Sequence, residues 1–224
     1  MDVYDAIRKR KSIRGFKPDP VDRRTIESIL ETAVYAPSAM NTQPWEFTVL
    51  SGKVIDKIRR ENVKNLRSGV SGGPEHLTAQ WPKDSIYRTR QVELAKQLFS
   101  LMGIERHDKE KRMQWMERGF RFFDAPCAIV ISTDRVLGEA GPLLDIGAVM
   151  NNICLLATEH GLGTCIEDQG IFYPDVIRQH TGIDKTKSIV IAIAIGYPDQ
   201  EFPANRVESG RVSISENTGW YGFD

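Results

Sequence analysis

Ser188-Ile-Val-Ile-Ala-Ile-Ala-Ile-Gly196 is the strongest strand signal in the chain. An apolar run with no polar alternation marks a strand covered on both faces, and therefore a central one. Cys127-Ala-Ile-Val-Ile-Ser132, directly after Pro126, has the same character. Between the two lies Leu143 to His160, a long helical stretch apolar on most faces and closed by Gly161 at the C′ position. A helix of that kind is buried or forms a subunit contact.

Working outward, Glu46 to Leu50 reads as a short strand with Phe47 and Val49, and Trp45 as its core anchor. It is preceded by two helices. Val3, Ala6 and Ile7 carry the first, and Ile26, Ile29, Leu30, Ala33 and Val34 the second, with Asp22 as N-cap and Pro37 as stop. Val54 to Leu66 is a charged, weaker helix. Residues 68–83, with Ser-Gly-Val-Ser-Gly-Gly-Pro and Trp81-Pro82, read as a mobile surface segment. Val92, Ala95, Leu98, Phe99 and Met102 make one helical face, and Met113, Met116, Phe120 and Phe123 another. Residues 68–123 are thus an insertion carrying a helical pair, either as packing or as a lid over a site. The order helix, helix, strand, helices, strand, helix, strand, helix, strand describes an α+β layer sandwich in one domain spanning 1–224. Residues 198–224, rich in Pro and Gly, stay ordered only by docking on something.

With 30 basic and 30 acidic residues the chain has no net charge, which argues against nucleic-acid or anionic-membrane partners. The polar helical start, and the reading that no apolar run approaches the length of a bilayer span, point to a cytoplasmic protein. Cys127, Cys154 and Cys165 sit among apolar neighbours as reduced core thiols. The four histidines have no metal-ligand spacing, so no metal is expected. Gly161-Leu-Gly163 ends a helix instead of opening one and is no dinucleotide fingerprint. The chemistry is left to an organic cofactor.

Two stretches suit one. Arg10-Lys11-Ser12-Ile13-Arg14 places three cations and a hydroxyl beyond a helix end, a donor set for a phosphate monoester or simply a solvated basic turn. Pro37-Ser-Ala-Met-Asn-Thr-Gln-Pro-Trp45 combines backbone-fixing prolines with amides able to read the edge of a heteroaromatic ring. Together with Asp145-Ile-Gly-Ala-Val-Met-Asn-Asn152, Gly161-Leu-Gly-Thr-Cys165, Ala194-Ile-Gly-Tyr-Pro198 and Asn205-Arg206 with Arg211, these resemble the FMN-dependent nitroreductase family. The stretch from Tyr87 to Pro126 resembles the insertion of its nitrobenzoate-reductase-like branch.

The resemblance implies a three-layer sandwich with a four- to five-stranded, mainly antiparallel sheet. It also implies an intertwined homodimer whose C-terminal tails, about 198–224, embrace the partner. Arg10, Lys11, Ser12 and Arg14 would hold the FMN phosphate and the pyrimidine side of the ring, completed by Arg206 and Arg211. Pro37, Ser38, Ala39 and Asn41 would reach the flavin from the other subunit. A backbone N–H among Glu167, Asp168 and Gln169 would approach flavin N5, leaving no side chain with a catalytic role. NADPH or NADH would donate hydride and a nitroaromatic, quinone or related small aromatic would accept it, in ping-pong order. Ala39 stands where many relatives have serine, and Cys165-Ile-Glu-Asp-Gln-Gly170 is unusually acidic, with its carboxylates expected in solvent. The alternatives are a reductive dehalogenase, another specialised flavin enzyme, or a non-catalytic flavin-binding redox module.

Overall fold

The computed structural model of the protein describes residues 1–76, 80–138 and 140–223. In chain order the elements are α1 (Val3–Lys9), α2 (Arg23–Ala33), β1 (Glu46–Ser51), α3 (Gly52–Arg67), α4 (Ile86–Leu101) and α5 (Lys109–Phe120). They continue with β2 (Cys127–Asp134), α6 (Gly141–Glu159), β3 (Gly163–Glu167), α7 (Pro174–Thr181), β4 (Lys187–Gly196) and α8 (Ile214–Asn217). The strands form one antiparallel sheet in the order β1-β2-β4-β3, so the two continuous apolar runs are the two interior strands.

Both faces of that sheet are covered. Cys127, Ile129 and Ile131 of β2, with Ile191, Ile193 and Ile195 of β4, pack against α2 and α6 through Ile29, Ala33, Val149 and Ile153. Ala128 and Val130, with Ala192 and Ala194, face Ile55, Ile58, Phe120, Phe122 and Ile177 on the α3, α5 and α7 side. A register shift beside Ile131 pairs Ser132 with Ile189, skipping Val190. That bulge turns Ile189 into the second core while Val190 stays in the first. This is the expected α+β three-layer sandwich.

Local signals set the element ends where the sequence placed them. The Asp22 carboxylate accepts the Arg24 N–H at 2.7 Å. Gly161 takes φ 70° after α6, and the Leu162 N–H returns to the Ala157 carbonyl at 2.8 Å. The three cysteines are buried free thiols, and burial pushes those of Cys127 and Cys165 up to about 12.

Five expectations are corrected. At 19 residues, α6 is long and apolar enough to cross a bilayer, yet its inner face packs on α2 and the sheet. Val3 and Ile7 are exposed, and only Ala6 of α1 is buried. The buried face of α4 is Leu94, Leu98, Leu101 and Met102, packed on Ala204, Val207 and Phe202. In α5, Met113 and Met116 are exposed while Phe120 is buried. Phase within a helix of mixed composition depends on the partner it meets, which periodicity alone does not supply.

The fifth correction concerns residues 68–76, which are docked; Leu77 to Ala79 of the same expected mobile segment lie outside the described residues. The Tyr173 hydroxyl donates to the Val70 carbonyl at 3.2 Å, and the Gly73 N–H to the Phe172 carbonyl at 3.0 Å. Glu75 Oε2 accepts the Ile189 N–H at 2.7 Å and Arg178 at 2.8 Å, and Oε1 accepts from Arg135. Partial burial of Glu75 opposes ionisation, but the Arg178 hydrogen bond, the Ile189 N–H and the two guanidinium charges hold its carboxyl below the usual range. Its contribution to docking is therefore present above the ordinary carboxylate value and is lost as pH falls through the depressed one. Glu75→Gln is expected to make the 68–76 stretch cleavable at neutral pH, whereas wild type becomes cleavable there only on acidification; limited proteolysis with acid-active and neutral proteases measures both.

Candidate functional site

After α1 the chain runs extended along the end of β3. Ser12 pairs with Thr164, the Ile13 N–H donates to the Thr164 carbonyl at 2.9 Å, and the Lys17 N–H to the Tyr197 carbonyl at 2.9 Å. Ile13 is buried over Gly163, where a Cβ would come within 2.5 Å of its side chain. Between these anchors, Asn205 grips the backbone. Its Oδ1 accepts the Arg14 N–H at 2.7 Å and the Gly15 N–H at 3.2 Å, while Nδ2 donates to the carbonyls of Gly15 at 2.7 Å and Asp199 at 2.8 Å. Gly15 has no alternative residue there, since a Cβ would lie 2.1 Å from the Phe202 ring.

A guanidinium completes the frame from α5. Arg118 donates to the carbonyls of Arg14 at 3.0 Å and Phe123 at 3.3 Å, pairs with Asp124 at 3.0 Å, and stands 4.5 Å from the centroid of the Phe202 ring. With the backbone so fixed, Arg10, Lys11, Ser12 and Arg14 line one cavity of about 600 Å³. Arg8, Lys9 and Arg211 add charge, and Glu208 and Ser209 close the side formed by the C-terminal segment. The lining thus carries six cationic side chains against one carboxylate, a donor set suited to a dianionic phosphate.

The other expected residues fall elsewhere within the single chain. Arg206 faces Glu201 at 3.7 Å on the surface and does not line this cavity. Pro37, Ser38, Ala39 and Asn41 belong to a separate exposed loop. There Ser38 Oγ accepts the Gln43 N–H at 3.1 Å, and Asp145 of α6 accepts the Ala39 N–H at 3.1 Å. Met40, Asn41 and Gln43 take φ of 51°, 58° and 47°, and Met40 is 96% exposed. Left-handed conformations in non-glycine residues cost about 1–3 kcal/mol each and persist where a fixed shape is needed.

A second cavity, of about 410 Å³, lies where β3 ends. Glu167 and Asp168 line it with Ile166, Ile191, and Gly147 and Met150 of α6. Gln169 turns away, its side chain filling the space above Gly119 of α5. The Glu167 carboxyl does not reach solvent as expected. It is buried, Oε2 accepts the Gly170 N–H at 2.7 Å, and Oε1 has no hydrogen-bond partner.

Sequence reasoning gave Asn205 no role beyond its place beside Arg206, read Gly15 only as a break after the first helix, and missed Arg118 altogether. The signal for Asn205 and Gly15 was present in the short spacing of Asn, Gly and Pro around two elements without regular structure. Arg118 had none, because its partners are distant backbone carbonyls.

A model of the nitroreductase family matches residues 7–197. The chain belongs to the nitroreductase family. Among its relatives is the nitrobenzene nitroreductase of Ectopseudomonas oleovorans, 33% identical over 96% of this chain and 95% of that protein. The 4-nitrobenzoate reductase of Pseudomonas putida is 29% identical over 100% of this chain and 97% of that protein. Among solved structures, the FMN and NADPH-dependent nitroreductase NfnB from a Sphingopyxis strain superposes with a TM-score of 0.93 at 29% identity, covering 100% of both chains. The FMN-dependent NfnB of Mycobacterium smegmatis, solved with NADPH, gives 0.90 at 26% identity over 97% of each chain.

In this chain, Asn205→Ala leaves the N–H groups of Arg14 and Gly15 without their acceptor, and the Gly15 carbonyl with the Asp199 N–H alone. A loss of about 2–3 kcal/mol in unfolding free energy is expected in urea titration, and Gly15→Ala is expected to cost about 1–3 kcal/mol by overpacking against Phe202.

Proposed function

We propose that this chain is an FMN-dependent NAD(P)H oxidoreductase that reduces small nitroaromatic acceptors. The observation that carries the reading is the convergence of Arg10, Lys11, Ser12, Arg14 and Arg211 on one cavity beside the edge of the sheet. Those side chains fit the phosphate of FMN: guanidinium forks for paired oxygens, an ammonium group and a hydroxyl, with only Glu208 opposing. Relatives named for nitrobenzene, chloronitrobenzene and 4-nitrobenzoate support the acceptor class. Quinones are acceptors of the same shape and electron demand, and belong to the same proposal.

FMN, when bound, would supply the two-electron chemistry that links NADPH or NADH to the acceptor. The chain's residues bind and orient. The basic cavity would hold the phosphate end, and backbone N–H groups in the turn at Glu167, Asp168 and Gln169 would stabilise the electron density that the ring gains. The apolar floor of Ile166, Ile191 and Met150 excludes water beside it. Nicotinamide and acceptor use one place in turn, so steady-state kinetics follow a ping-pong pattern with parallel double-reciprocal lines.

The working unit we propose is a homodimer. Leu144 on α6 is 84% exposed, and Met40, Trp220, Tyr221 and Phe223 are also exposed. Exposed apolar side chains on α6, on the Met40 loop and on the C-terminal segment call for a partner, and α6 is also where Asp145 holds the Ala39 loop. A second copy would bring Pro37, Ser38, Ala39 and Asn41 to the flavin and wrap the tail, including Arg206, around its neighbour. The three free thiols suit a reducing compartment such as the cytoplasm.

The test is the visible spectrum of the purified protein under anaerobic conditions. A two-band flavin spectrum that bleaches with NADPH or NADH and returns on adding nitrobenzene or a quinone is expected; a protein that takes up no added FMN would sink the reading. Arg10→Ala and Arg211→Ala are each expected to weaken FMN binding by about tenfold or more, as loss of a charge-assisted hydrogen bond does. Sedimentation is expected to give twice the mass of one chain, and Leu144→Asp to shift it toward a single chain.

A further inference from the structure

The carboxyl of Glu167 ends β3 and turns into the core beneath the turn that follows it. Its residue is 8% exposed, Oε2 accepts the Gly170 N–H at 2.7 Å, and Oε1 is buried without a partner. No cation pairs with it among the described residues. Gly170 is gripped from its other side by Asn62 of α3, fully buried, whose Nδ2 donates to the Gly170 carbonyl at 2.8 Å and to the Phe120 carbonyl at 3.1 Å. Asn62 Oδ1 is likewise buried without a donor. Gly170 itself admits no side chain, since a Cβ would meet the Phe122 ring at 2.4 Å and Glu167 Oε1 at 2.6 Å. The turn from Asp168 to Gly170 is therefore held from behind by two buried polar side chains, each with one oxygen left over.

An ionised carboxylate here would be a lone charge in a core of Phe122, Cys165 and Ile171. Protonation removes that charge and turns the unpartnered Oε1 from a buried acceptor into an O–H donor, in a core where Asn62 Oδ1 also lacks a donor. We infer that Glu167 is held as the neutral acid and acts as a positioning residue, its proton keeping the turn in place and its ionisation putting a negative charge behind the flavin ring. This rests on the flavin reading above. The neighbouring groups agree. Burial pushes the acid up to about 8 and the charge of Asp168 on the same turn pushes the same way, against the opposing N–H groups of Gly170 and Gln169. The Cys165 thiol, two residues back on β3, is itself pushed up to about 12 by burial and carries no charge. α3 presents the uncharged Asn62, and the segment after α5 presents Phe122.

The sign of the pH dependence follows. The folded state keeps a proton that the unfolded chain releases near the ordinary value of 4.5, so the contribution is complete below that pH and is lost as pH rises to about 8. The experiment compares wild type with Glu167→Gln, which is neutral at every pH and nearly isosteric. Expected is a wild-type Tm that falls relative to the variant's from about pH 4.5 to about pH 8 and then runs parallel to it. In the flavin-loaded protein, the midpoint potential of wild type should show an additional bend near pH 8 that the variant lacks. Infrared spectra of wild type labelled with ¹³C-glutamate should show a protonated carboxyl at neutral pH that disappears through the same range, independently of whether the variant folds. Parallel Tm profiles from pH 4.5 upward, with no protonated carboxyl, would overturn the inference. Coincident potential profiles would overturn its redox half. A protein that takes up no flavin would instead refute the flavin reading, while the Tm and infrared data would still decide the proton.

Discussion

All four hydrogen bonds of the Asn205 carboxamide are made inside the protein, two accepted from the N–H groups of Arg14 and Gly15 and two donated to the carbonyls of Gly15 and Asp199. Residues 14 and 15 leave the sheet edge just where Ser12 and Ile13 stop pairing with Thr164. Backbone groups buried there need partners, and one side chain supplies both N–H groups with an acceptor in place of a strand. The consequence reaches the surface. Fixing that backbone aims Arg10, Lys11, Ser12 and Arg14 into a single cavity, and Gly15 lets Phe202 press close enough to stack beneath Arg118. Six cations held together repel one another, which favours an anion shared among them.

The sheet provides the rigid floor for this arrangement. β2 and β4 are covered on both faces, and the bulge beside Ile131 places the consecutive residues Val190 and Ile191 on the same core, so that Ile189 faces the other. β3 sits at the edge and so carries function at both ends. Gly163 accepts the close approach of Ile13, and Glu167 opens the turn beside the apolar cavity. One short strand thereby sets the distance between the basic cavity and the place where the ring and its partners would meet.

Much of this was legible in the residues. The uninterrupted apolar runs at 127–132 and 188–196 gave the interior strands, and Gly161 and Asp22 gave helix ends, because these signals are local and strong. Orientation was less legible. Met113 and Met116 have the spacing of a buried face, but α5 meets its neighbours through Phe120 and Glu117, and the methionines are exposed. The stretch 68–76 has a loop's composition and is nonetheless anchored, because Glu75 finds Arg178, Arg135 and the Ile189 N–H far along the chain. Glu167 was misread for the same reason: the general rule that carboxylates stay in solvent cannot anticipate a strand whose alternation points one into the core. The cationic half of the site could be named from sequence, whereas the amide that holds it could be only quoted.

The most direct measurement is calorimetric titration of FMN and, separately, of riboflavin into flavin-free protein. The two ligands share the ring system and differ in the phosphate alone. If the cavity of Arg10, Lys11, Ser12, Arg14 and Arg211 holds that phosphate, FMN binds tighter than riboflavin by about two orders of magnitude or more, and the gap narrows with added salt. Equal affinities, unchanged by salt, would contradict the account.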